Sequence, residues 1–235
     1  MEKRTPKWEA ELWSYLSSGD GAHCPLYQTC QLKGDSGNCL GIDEKLNRSL
    51  TEFIDEDEPE LSKLANFELN FPNCPTSGRI FWLVRKLARK FQENAGIKGP
   101  PVLDNLITHA ADNLPIEVRQ IPLKAYRGAV WKLSDCWVVQ LNSKDSPARQ
   151  RFTLFHEIFH ILAHNKATPV FKKVGCGREG SFNEMLADHF SAACLLPDAL
   201  VKDAWPKVKD LNKMAELFIA PKSLVWFSLK HLRLV

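Results

Sequence analysis

The segment Arg151-Phe152-Thr153-Leu154-Phe155-His156-Glu157-Ile158-Phe159-His160-Ile161-Leu162-Ala163-His164 constrains this chain more than any other feature. Its apolar density, with Ser146 as a cap and Pro147 in the first turn, predicts a helix from Pro147 to about residue 165. On that helix His156 and His160 stand one above the other, because four steps of about 100° nearly complete a turn. Two imidazoles so placed can reach one metal ion, and Glu157 projects beside it, where a carboxylate can take a proton from water. This is the HExxH pattern of zinc hydrolases. The plainer alternative is a pair of histidines packed inside a buried helix. His164 is rotated about 80° from His156 and is expected to support the site or the fold rather than bind the ion.

A catalytic zinc needs three protein ligands and one open position. The next apolar helix, expected over Ser181 to Leu196 and closed by Pro197, offers Glu184 as the third ligand. Asp188 lies on the same face four residues on, where it can hold a ligand histidine by its other ring nitrogen. The same residues also read differently, since Ser181-Phe182-Asn183-Glu184 is a capping box in which Glu184 would merely satisfy the helix start. Small residues at Ala187, Ser191, Ala192 and Cys194 permit the close helix approach that the ligand reading requires.

Both segments carry a resemblance. Arg151 to His164 resembles the RFTLAHELGHLLLH signature of the ImmA/IrrE metallopeptidase family. The stretch Glu184-Met185-Leu186-Ala187-Asp188-His189-Phe190-Ser191-Ala192-Ala193-Cys194-Leu195-Leu196-Pro197 resembles that family's ExxANxFAAELLMP. The resemblance covers about residues 79 to 235. It implies zinc bound by His156, His160 and Glu184, with Glu157 as catalytic base and Asp188 supporting a ligand. It also implies a helix-turn-helix repressor, cleaved in trans in stress or mobile-element regulation, as the substrate. Phe155 and Phe159 stand where the family usually has Ala and Gly, which raises the expectation of a narrower cleft near the metal. An oxyanion donor is also needed, and Tyr126, His189 and Arg178 are candidates by residue type alone.

The rest of the chain supplies the frame. Helical spacing is expected over residues 1 to 20, around Trp8, Leu12, Trp13 and Leu16, and over 43 to 55, 79 to 94 and 102 to 113. Short Val-, Ile- and Trp-rich runs at 116 to 121, 128 to 133 and 136 to 141 predict a small sheet, and 210 to 233 a helical pair interrupted near Pro221. The fold class is therefore α+β: a zincin-like domain over 76–200, a C-terminal helical pair over 201–235, and an acidic, Cys-containing region over 1–75. The final pair presents Leu217, Phe218, Leu224, Phe227, Leu229 and Leu232 on a mostly apolar face, which is expected to pack rather than read a DNA groove.

Charge divides the chain in the same place. Residues 1–75 hold 7 Lys+Arg against 14 Asp+Glu, or −7, leaving 24 against 14, or +10, for 76–235 within the formal +3 of the whole. The basic region invites an acidic partner, the acidic region itself among them, and keeps a nucleic-acid-binding regulator as one rival reading. A second rival is a non-cleaving, metal-holding interaction module on the same fold. No run approaches eighteen apolar residues and no secretory leader is visible, so a cytoplasmic chain with no membrane span is expected. Of the seven cysteines, Cys24, Cys30, Cys39 and Cys74, or His23 in place of one, could close a second, structural zinc site. Ordinary thiols, or a redox or cluster role, are the alternatives there.

Overall fold

The computed structural model describes residues 5–18, 75–102, 104, 107, 114–124, 126–164 and 181–235. Among them lie seven helices and three strands: α1 (Lys7–Ser18), α2 (Pro75–Asn94), β1 (Ile116–Ile121), β2 (Gly128–Lys132), β3 (Trp137–Asn142), α3 (Pro147–Ala163), α4 (Ser181–Leu195), α5 (Asp198–Val208), α6 (Leu211–Phe218) and α7 (Lys222–His231). The α+β class expected from the sequence is the one observed. Cys24, Cys30, Cys39 and Cys74, the helix expected over 43–55 and most of that expected over 102–113 fall outside the described residues.

The sheet order is β1-β3-β2, with β3 parallel to β1 and antiparallel to β2. Central β3 buries Trp137, Val138, Val139, Leu141 and Asn142, as a strand covered on both faces must, whereas β1 is mostly exposed. β2 and β3 both pack on α3. Ser146 caps α3 by accepting a hydrogen bond from the Arg149 amide, and Pro147 occupies the first turn, where its missing N–H costs nothing.

α4 is sandwiched between α3 and α2. Phe155, Phe159 and Phe190 are fully buried between these helices, with the Phe159 and Phe190 ring centres 5.5 Å apart and Phe91 of α2 6.0 Å from Phe190. Ser191 donates to the Phe152 carbonyl at 2.7 Å, tying α4 to α3. The expectation that Phe155 and Phe159 narrow a cleft gives way to this packing: both rings point into the core and fill it.

Two helices differ from expectation. α2 begins at Pro75, four residues before the apolar period starts, since proline is well tolerated in a first turn. Its end follows the sequence, at Gly96 with φ 65°. α5 is additional: it buries only Val201 and Ala204 and carries Pro206 in its last turn, so its apolar period is weak. Of the apolar face expected on the final pair, Phe218, Leu224, Phe227 and Leu229 are buried and Leu232 is half-buried, whereas Leu217 is exposed. At the other end Leu12 and Trp13 of α1 join the same core, and Glu11 receives a paired hydrogen bond from Arg79 of α2 at 2.9 and 2.7 Å.

Arg151 fixes the back of α3. Its guanidinium donates to the carbonyls of Phe218 at 2.7 Å and Ile219 at 2.9 Å, to Asp104 Oδ1 at 2.8 Å and to the Val102 carbonyl. A buried cation with its donors spent on backbone and carboxylate oxygens binds three parts of the chain at one point.

Candidate metal centre

α3 and α4 bring three donor side chains together. His156, His160 and Glu184 each offer a ligand atom, and these atoms lie within 4.8 Å of one another. The two Nε2 atoms are 3.1 Å apart, Glu184 Oε2 is 3.0 Å from His156 Nε2, and Glu184 Oε1 is 3.4 Å from His160 Nε2. Two imidazole nitrogens and a carboxylate oxygen form a donor set suited to a borderline-soft divalent ion such as zinc. The carboxylate of Glu184 sits with the imidazoles, which separates the ligand geometry from that of a simple helix cap.

Asp188 completes the arrangement one turn further along α4. Its Oδ1 is 2.7 Å from Nδ1 of His156, and its side chain is 1% exposed. That contact places a proton on Nδ1 and leaves Nε2 turned toward Glu184 and His160, the orientation a ligand nitrogen needs.

The electrostatics follow from the crowding. Burial disfavours a charged His156, but hydrogen bonds to Asp188 and Glu184 outweigh it and raise its pKa well above the usual value. Burial pushes Glu184 up, yet its bonds to the two histidines win and hold it far below the ordinary carboxylate range. Glu157 is raised, chiefly because it is buried, with the neighbouring histidines pulling the other way.

Glu157 lies on the sheet side of α3, near β2. A Cβ built on Gly128 would lie 2.9 Å from Glu157 Oε1 and would collide with the Thr153 methyl. Only a glycine lets the strand come this close to the helix. The sequence offers a lone glycine at the start of a strand as the sole hint of this contact.

Other candidates lie elsewhere. His164 caps the end of α3, its Nε2 3.5 Å from Lys132 Nζ and its ring edge-on to Trp137, and burial followed by the Lys132 charge lowers its pKa. His189 is about 100° around α4 from Asp188 and faces α2, where Arg85 Nε donates to its Nε2 at 3.3 Å. It therefore turns away from the cluster rather than toward a developing oxyanion. Burial, then the charges of Arg85 and His231, lower its pKa well below the usual value. Tyr126 is 71% exposed in the loop before β2, and Arg178 lies outside the described residues.

One comparison decides the family: the profile of Peptidase_M78, the IrrE N-terminal-like domain, matches residues 111–228. The chain belongs to this peptidase family. The match spans the sheet, both site helices and most of the final pair, so the His156, His160 and Glu184 cluster lies inside the segment that defines the family. No curated protein matches the chain by sequence. Among the described residues of this Peptidase_M78 member, no helix is long and apolar enough to cross a membrane.

Proposed function

We propose that the protein is a zinc-dependent endopeptidase that cuts a regulatory protein, a repressor of the helix-turn-helix type, in trans. The observation that carries this reading is the convergence of His156, His160 and Glu184, with Glu157 beside them on the same helix. His156, His160 and Glu184 would hold the ion, and Asp188 would fix the His156 tautomer. When bound, the ion would supply Lewis acidity, polarising the scissile carbonyl and lowering the pKa of a water. Glu157 would accept a proton from the attacking water and deliver it to the leaving amine. A substrate main chain has a place to lie, since β2 is an edge strand among the described residues and borders Glu157 through Gly128. The repressor as substrate rests on the family resemblance of the two motif segments.

The test is Glu157→Gln in the full-length chain. The variant is expected to keep one zinc at the α3–α4 site while cleavage of a co-expressed repressor falls by about 10²–10⁴-fold. Absence of metal from the wild type, or equal cutting by the variant, would end this reading.

A further inference from the structure

On the far side of α4 from the metal cluster runs a groove of about 880 Å³. Its floor is aromatic, made by Trp8 of α1 with Phe81 and Trp82 of α2, and Trp82 is 46% exposed. Its rim is cationic: Arg85, Lys86, Arg89 and Lys90 occupy one face of α2 across two turns. From Phe81 to Glu93 the lining follows α2 for about 18 Å.

We propose that this groove is a docking site for an acidic peptide segment of a protein partner. The outer cations are already committed. Arg85 is held by both oxygens of Asp198, at 3.1 and 2.8 Å, and Lys90 by Glu9. Those pairs fix the frame of the groove. Among the described residues no carboxylate pairs with Lys86 or Arg89. Lys86 Nζ instead lies over two indoles, 5.1 Å from the Trp8 ring centre and 4.8 Å from that of Trp82. A cation held over aromatic faces is positioned without being neutralised. Lys86 and Arg89 are three residues apart on one helix, so they present neighbouring positive charges above an apolar floor. A peptide that alternates carboxylates with apolar side chains satisfies both layers, and tryptophan with arginine is the composition that anchors protein interfaces.

Single-stranded nucleic acid fits less well. Its bases need free ring faces, and here Arg79 covers Trp82 at 4.5 Å while Lys86 covers both indoles. The lining sets Arg85, Lys86, Arg89 and Lys90 against Glu93 and Asp198, a local excess of positive charge suited to carboxylates. Because His189 lines the groove and Asp188 holds His156, a partner seated here touches the helix that carries two of the site residues.

The experiment uses the zinc-loaded full chain carrying Glu157→Gln, so binding is read without turnover and stands apart from the peptidase reading. The probe is a fluorescein-labelled dodecapeptide of repeated Glu-Phe-Asp-Leu, followed by anisotropy, with an oligothymidine of equal length as competitor. Saturable binding that weakens with salt is expected. Lys86→Glu with Arg89→Glu should lower affinity by about tenfold or more, Trp82→Ala should lower it with the charge intact, and Lys213→Glu should leave it unchanged. Melting curves check that each variant folds. Three results would overturn the proposal: affinity unchanged by the double reversal, no saturable peptide binding, or displacement of the peptide by oligothymidine. Binding that emerges only after Asp55, Glu56, Asp57 and Glu58 are changed to Asn and Gln would also overturn it, and would give the groove to the chain's own acidic run.

Discussion

The contact between Asp188 and His156 sets the chemistry of the cluster through a single proton. Asp188 is 1% exposed and 2.7 Å from Nδ1, so its removal leaves the imidazole free to rotate and to change tautomer. Asp188→Ala is expected to weaken zinc binding by about 10–100-fold, measured by competition with a chromophoric chelator, and to lower the melting temperature of the metal-free chain, which loses a buried ion pair. A wild-type affinity in that variant would remove the orienting role. The residues of this cluster were legible because each pair sits at helical spacing on its own helix: His156 with His160, and Glu184 with Asp188. His189 was a candidate by residue type alone; one residue of helix rotates a side chain about 100° from Asp188, and His189 faces α2. Gly128 was not legible as a site residue, because the need for a missing side chain arises only when strand and helix have come together.

At the scale of elements, the approach of β2 to α3 is the contact most sensitive to volume. Gly128→Ala forces a methyl group against Thr153 and Glu157 Oε1, and about 1–3 kcal/mol of destabilisation is expected in urea unfolding. Thr153→Ser removes the methyl that collides and should recover part of that loss. If the double variant regains stability but still cleaves poorly, the strand positions Glu157 as well as packing on the helix. The α3–α4 seam has its own marker, the Ser191 hydroxyl bonded to the Phe152 carbonyl, and Ser191→Ala should cost about 1 kcal/mol. The strands and the site helices could be read from the sequence because each has a clear period and a punctuating Gly, Pro or Ser. α5 could not, because two buried residues do not make a period and Pro206 reads as a stop. The parallel pairing of β1 with β3 was equally hidden, since strand order is set by what the helices cover rather than by the strands' own residues.

For the whole molecule, protons and a metal ion would compete for the same donors. The raised pKa of His156 means that its ion pairs stabilise the metal-free fold below about pH 6.5 and are lost as pH rises through the raised value. The lowered pKa of Glu184 contributes in the opposite sense, present above about pH 4.5 and lost only in strong acid. Zinc must displace the His156 proton, so the difference in melting temperature between zinc-loaded and metal-free protein should be larger at about pH 8 than at about pH 6. Equal differences at the two pH values would mean that the proton is not held where the ion binds. Arg151 bears on a different question, that of inheritance. With its donors spent on Val102, Asp104, Phe218 and Ile219, the guanidinium would be stranded inside the core by any exchange that moved the two motif helices into another chain without their surroundings. An exchange that keeps Arg151 paired would therefore have to carry the stretch from Val102 to Ile219 with the two helices.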